Sequence, residues 1–316
     1  MQIDKITFND ISIFHQEEEA SIFHKLNFTK TVGGKEWLRR FFSEPHHDLK
    51  RILGTQQIIK TLLHHINDWP QDITNGTILM MAKFLEYNLD PIPQHPNPVN
   101  SITYKLLHSV DYSMTKYSVK HFSDFMRGLR KIILLFKDTA LPGSLSFYME
   151  RMLKLLQEGP LLELSKTTEE EKFSIQQNLY FGYHMRVHYR SELHELIDIY
   201  SRLEAWYSMA MAVKTYDLHF PEFIEQDEPF LKAEGLYHIL VQKPVPYDMM
   251  MQPQENFVFL TGANMAGKST LIKAVGSAVF LAHMGMGVPA RNMELTLFDG
   301  LLTNINVTDN ITRGES

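Results

Sequence analysis

No cysteine occurs among the 316 residues, which excludes a disulfide framework and any thiolate metal site. Such a chain suits a reducing cytosol. A secretory start is also missing, because Met1-Gln2-Ile3-Asp4-Lys5-Ile6 has no basic segment followed by an apolar one. Nor is any apolar run long enough for a bilayer. The longest, 275–290, is broken by His283 and by glycines and falls short of the roughly 18 residues a membrane span requires. The expectation is a cytoplasmic protein with no membrane partner. Positive charge is scarce as well: 31 Lys and Arg stand against 37 Asp and Glu, a net charge of −6. Binding nucleic acid by bulk electrostatics needs the opposite balance, so any DNA contact requires a local basic patch. Internal repeats and low-complexity tracts are absent too.

What remains is globular. Apolar residues make up 44% and charged residues 22%, and the length allows two domains with sizeable cores. Phe122, Phe125, Leu129, Ile132 and Phe136 recur at three- and four-residue steps, as do Leu193, Leu196, Tyr200, Leu203, Tyr207 and Ala210. Both stripes predict long helices packed through one face. Four prolines between Asn88 and Asn100 predict an exposed connection, since proline lacks the amide donor and displaces its predecessor from helical geometry. A second break is expected over 139–143. Past Phe220 and Pro221 short apolar runs, Leu236 to Val241 and Phe257 to Leu260, predict strands. The pattern divides the chain into a helical part, 1–215, and a mixed part, 216–316: a multidomain protein of α and α/β classes.

The second of those runs leads into Gly262-Ala263-Asn264-Met265-Ala266-Gly267-Lys268-Ser269, which fits G-x-x-x-x-G-K-[ST] at every defined position. The chemistry accounts for the residue types. Glycines let successive backbone amides turn toward phosphate oxygens. Lys268 brings a flexible cation to the β- and γ-phosphates, and Ser269 offers its hydroxyl to Mg²⁺. A helix from Thr270 onward aims its positive end at the same anion. ATP or ADP with Mg²⁺ is the expected ligand, and a glycine-rich turn without a ligand is the bland alternative. Guanine specificity is not expected, since no N-K-x-D occurs.

The decapeptide Thr261 to Thr270 resembles the MutS family of mismatch-repair ATPases, whose loop reads T-G-P-N-M-[AG]-G-K-S-T. Asn264 and Met265 carry the likeness, and Ala263 stands where proline is usual. Leu281-Ala282-His283-Met284-Gly285 with Val288-Pro289-Ala290, then Thr308-Asp309-Asn310-Ile311 and Gly314-Glu315-Ser316, resemble further segments of the family in the same order. Val245-Pro246-Tyr247-Asp248 matches its V-P-N-D, although Pro244 replaces the aromatic residue that stacks on adenine. At the amino end Leu26 to Thr31, Gly34, Leu38, Phe41, Phe42, Pro45 and Ile52 resemble the start of the family's core domain. The resemblance implies a core and lever domain over 1–215 and the first part of an ABC-like P-loop ATPase domain over 216–316. It also implies DNA as partner, a homodimer, and a role in repair or recombination. It makes Ser316 the signature serine that reaches a partner's γ-phosphate. The family's mismatch-reading domain is not represented: Phe84-Leu85-Glu86 and Phe220-Pro221-Glu222 match its tripeptide only by position-blind coincidence. The Asp-Glu strand needed for hydrolysis is expected beyond Ser316, so the chain reads as a fragment that is not competent for turnover. Asp299, followed by Gly300, is not expected to serve in its place. Rival readings are a helical scaffold or dimerisation module without activity, and a different P-loop enzyme.

Several other groups invite weighing. His184 and His188 stand four apart near Arg186, Arg190 and His194; a solvated helix face is favoured over a phosphate-facing patch or a metal pair. Arg127, Arg130 and Lys131 take the same reading. Glu17-Glu18-Glu19 and Glu169-Glu170-Glu171 read as exposed helix starts, and Met249, Met250 and Met251 as packing on a sheet.

Overall fold

The computed structural model describes residues 1–263 and 266–305. It divides into two compact units. One comprises residues 1–28, 37–64 and 206–316; the other comprises 29–36 and 65–205. Packing therefore groups the first residues with the last, a different partition from the linear one at 215/216. Two helices, Val32–Ser43 and Arg190–Thr215, contribute residues to both units.

The second unit is helical. Its hub is Ser109–Leu135, against which helices Asn75–Glu86, Pro98–Leu107, Gly143–Leu156, Gly159–Ser165 and Ile175–Val187 pack. The stripe expected from Phe122 to Ile132 is buried along it, with Phe136 at the C-cap. Phe84 meets Phe122 edge-on with ring centroids 5.7 Å apart. Helix starts follow local chemistry: Thr74 and Ser174 close capping boxes, and Asn97 caps a helix whose first residue is Pro98. The proline-rich stretch is non-helical from Asn88 to Asn97, whereas Pro98 to Asn100 already open a helix, and the break expected over 139–143 ends at Pro142 because Gly143 begins the next helix.

At Thr31 the start of helix Val32–Ser43 is capped from a distance. Glu204 is buried, and its carboxylate accepts from the amide of Lys30 at 2.9 Å and from the amide and hydroxyl of Thr31. Gly34 is required for this approach, because a methyl group there would coincide with the Glu204 carboxylate. Burial raises the Glu204 pKa, and the donors from Thr31 and Lys30 partly offset it.

The first unit holds two small sheets. Strands β1 (Gln2–Ile3) and β6 (Gly300–Leu301) pair in parallel. Strands β2 (Glu222–Phe223), β3 (Leu231–Leu236), β4 (Tyr247–Met251) and β5 (Asn292–Leu295) form a mixed sheet in the order β2-β5-β3-β4. Only β2 and β5 run parallel; β3 is antiparallel to both neighbours. Met249 to Met251 lie in β4, where Met249 and Met251 are half-buried and Met250 is exposed. Helix Lys268–His283 is buried from Ala278 onward, and Phe280 meets Phe8 and Phe42. A methyl group on Gly276 would lie 2.8 Å from Ile11, so the amino-terminal segment packs hard against this helix.

Two strand expectations fail. The run from Leu236 to Val241 is irregular after its first residue, with a turn at Ile239 and Leu240, and the strand lies earlier, at Leu231–Leu236. Phe257 to Leu260 is not a buried parallel strand: it is irregular and pairs with no described strand, and Phe257 and Phe259 are 81% and 80% exposed. A strand, unlike a helix, forms only where neighbours supply its hydrogen bonds, and among the described residues none lies alongside. The acidic runs also differ from expectation in part. Glu18–Ala20 begins a short 3₁₀ turn, whereas Glu169 to Glu171 lie in a loop where Glu171 accepts from the Thr168 amide. Among the described residues no helix is long and apolar enough to cross a membrane.

Candidate functional site

The turn that opens helix Lys268–His283 gathers the residues singled out in the glycine-rich loop. Gly267, its N-cap, has φ +86°, a left-handed backbone that side chains resist. That turn brings the first amides of the helix, which have no partners within it, toward the loop. Lys268 folds back over the loop, and its Nζ donates to the carbonyls of Gly262 and Ala263, each at 2.7 Å. The loop is further closed by the Ala266 amide donating to Ala263 at 3.2 Å and the Leu271 amide to Gly267 at 2.9 Å. Ser269 is exposed beside them and Thr270 half-buried. Asn264, Met265 and Ser316 lie outside the described residues.

A left-handed glycine, the amides of a helix's first turn and an ammonium held over the same turn are the features an anion needs. The residues fit a nucleotide polyphosphate: Lys268 can exchange two carbonyls for phosphate oxygens, and the exposed Ser269 hydroxyl can reach a magnesium ion. Tyr247, at the start of β4, stands over the turn, since a methyl group on Gly267 would come 3.1 Å from its hydroxyl. In the sequence Tyr247 stood only as part of the segment that resembles V-P-N-D, with nothing to place it beside the loop. The absence of Asp and Glu from 261–270 leaves the Lys268 charge uncompensated within that segment.

The far end of the same helix is fixed by His283, which is fully buried. Its Nδ1 bonds the His46 carbonyl at 3.0 Å, and the Phe298 amide donates to Nε2 at 3.3 Å. Both bonds are satisfied by a neutral ring protonated on Nδ1, and burial brings the pKa down to about 4. The Met1 ammonium donates to the same His46 carbonyl at 3.0 Å, and Asp299 opposes the loss of its charge on burial. Asp299 thus keeps company with the amino terminus. Nearby, Asp10 accepts from the Thr303 hydroxyl at 2.9 Å and the Ile305 amide at 2.8 Å, fastening that segment to helix Lys5–Asp10.

The basic groups weighed from sequence are mostly occupied. Arg127 is bonded to Asp124 and Asp72, and Lys131 to Asp72. Arg186 turns inward to the carbonyls of Phe84 and Tyr87. The His184 and His188 rings lie 5.2 Å apart, tilted to one another, among tyrosines, and burial lowers the His184 pKa. Among the described residues neither belongs to a three-ligand cluster.

Comparison with known proteins bears directly on the loop. Residues 258–316 match the family described as MutS domain V. The DNA mismatch repair protein MutS of Carboxydothermus hydrogenoformans is 34% identical over 135 residues, covering 40% of this chain and 16% of that protein. That of Petrotoga mobilis is 30% identical over 132 residues with the same coverage. DNA mismatch repair protein MSH7 of Arabidopsis thaliana aligns with the whole chain at 25% identity, covering 32% of its own length. The chain therefore spans between a sixth and a third of the length of these relatives. With the domain V match falling on the loop and the likeness extending back to the amino end, the chain is a relative of the MutS family of DNA mismatch repair proteins.

Proposed function

We propose that the segment binds ATP or ADP with Mg²⁺ through Gly262, Ala263, Asn264, Met265, Ala266, Gly267, Lys268, Ser269 and Thr270, as the nucleotide-binding part of a DNA-associated, homodimeric ATPase acting in repair or recombination. The linear division into a core and lever part, 1–215, and an ATPase part, 216–316, belongs to this reading. The observation that carries it is the Lys268 ammonium poised over the left-handed turn at a helix start. Bound magnesium would neutralise polyphosphate charge; the chain's own work is to orient that group with backbone amides and Lys268. The DNA partner is carried over from the relatives' description as DNA mismatch repair proteins, and hydrolysis and dimerisation rest on the likeness of the loop sequence to the MutS family. No catalytic residue is assigned to the described segment.

Replacing Lys268 with Ala removes a charge-assisted contact worth about 1.5–3 kcal/mol, so affinity for fluorescent ADP should fall roughly tenfold to a hundredfold. Unchanged affinity rejects the site. The exposed, unpaired run Phe257 to Leu260 favours a second reading, a helical scaffold whose nucleotide part is incompletely folded. A thermal melt separates the two: Mg·ATP at millimolar concentration raises the melting temperature only if the loop binds it.

A further inference from the structure

Far along the chain from the loop, Asp90, His108 and Asp111 meet at the break between two helices. One ligand atom from each lies within 4.8 Å of the other two. His108 Nδ1 is 2.7 Å from Asp90 Oδ2, and the Asp90 amide donates to Asp111 Oδ2 at 3.0 Å. The arrangement is built from the chain's own turns. His108 ends helix Pro98–Leu107 and precedes Ser109–Leu135 with φ −123° and ψ 51°, so its ring projects from the break. Tyr104 stacks on that ring at 4.8 Å and donates its hydroxyl to the Asp90 carbonyl at 3.1 Å. Burial pushes the Tyr104 hydroxyl up to about 12, so it stays a donor. Asp111 lies in the first turn of its helix, where the backbone dipole favours an ionised carboxylate. Arg186, whose charge Asp111 supports, is engaged with the carbonyls of Phe84 and Tyr87.

We propose that Asp90, His108 and Asp111 bind a zinc-class divalent cation, with water completing four-fold coordination. One imidazole and two carboxylates form the mixed donor set that suits zinc, whereas magnesium prefers oxygen alone. At ligand distances of about 2.0–2.2 Å the donors must close by only an ångström or so on the wider side, and Asp90 sits on a non-helical connection. The cation replaces the hydrogen now shared between His108 and Asp90, whose 2.7 Å separation opens to about 3.4 Å to admit it. Asp90 and His108 are in contact with solvent, which gives the ion a path in. Bound there, it ties the proline-rich connection to the helix break.

The test uses the full chain stripped by chelator and titrated with zinc chloride in a calorimeter. One saturable equivalent is expected, weakened at least tenfold by His108→Ala and by Asp111→Asn, with no binding of magnesium at the same concentration. Cobalt in place of zinc should give the visible absorption of a four-coordinate ion, and Asp90→Asn, which keeps the side-chain shape, should diminish it. The chain has 15 histidines, so equal zinc affinity in wild type and all three variants places the ion elsewhere and overturns the proposal. Lack of saturable binding to the wild type overturns it as well.

Discussion

At the scale of single residues, Gly267 and Glu204 show how position fixes identity. Gly267 holds φ +86° beneath the Tyr247 hydroxyl. Gly267→Ala adds about 1 kcal/mol of left-handed strain and a tight contact, so nucleotide affinity should drop several-fold while far-ultraviolet dichroism stays unchanged. Retained affinity would show that the turn does not need glycine. Glu204 supplies one acceptor group for three donors on Lys30 and Thr31. Glu204→Ala leaves them buried without it, a loss of about 2–4 kcal/mol that a denaturant melt can measure, and Glu204→Gln should be milder. Since the folded pKa is raised, the contribution of Glu204 is full below its unfolded value and declines as pH rises. The deficit of the Gln variant should therefore shrink from pH 4 to pH 7.

Among elements, helices were readable and strands were not. The stripes through Phe122 and Leu196 repeat over many turns, and a helix makes its hydrogen bonds internally, so the local pattern suffices. Strand β3 reads Leu-Lys-Ala-Glu-Gly-Leu, whose alternation is too short to outweigh the more apolar run that follows it. Phe257 to Leu260 has strand composition, yet pairing depends on chain elsewhere. The phosphate loop was legible because its chemistry is compressed into eight consecutive residues. The Asp90, His108, Asp111 cluster was not, because Asp90 is remote in sequence and only the His-Asp spacing of three at a helix start hinted at it. For helix Lys268–His283 the buried histidine makes a pH prediction. Its folded pKa is lowered from 6.5 to about 4, so its contribution is present above 6.5 and lost as pH falls through 4, by roughly 3 kcal/mol at most. The melting temperature should decline across that window, and His283→Gln should flatten the decline. An equally steep acid limb in the variant would assign the effect to other groups, His238 foremost, which burial also brings to about 4.

For the molecule as a whole, the exposed run Phe257 to Leu260 is the main liability. Consecutive apolar residues with unsatisfied backbone edges invite pairing with another chain. Phe257→Lys with Phe259→Lys should reduce light scattering at high protein concentration and leave the melting temperature nearly unchanged, since both side chains are exposed. A marked fall in melting temperature would mean that the run is covered in solution.

Helix Lys268–His283 is about 24 Å long and anchored at both extremities, by the Lys268 ammonium at one and by the His283 ring at the other. A rod pinned in this way cannot slide along its axis without unfastening one anchor. Any guest that draws Lys268 off its two carbonyls therefore loosens one pin while the opposite one holds, and the freedom released is a pivot about His283 rather than a translation.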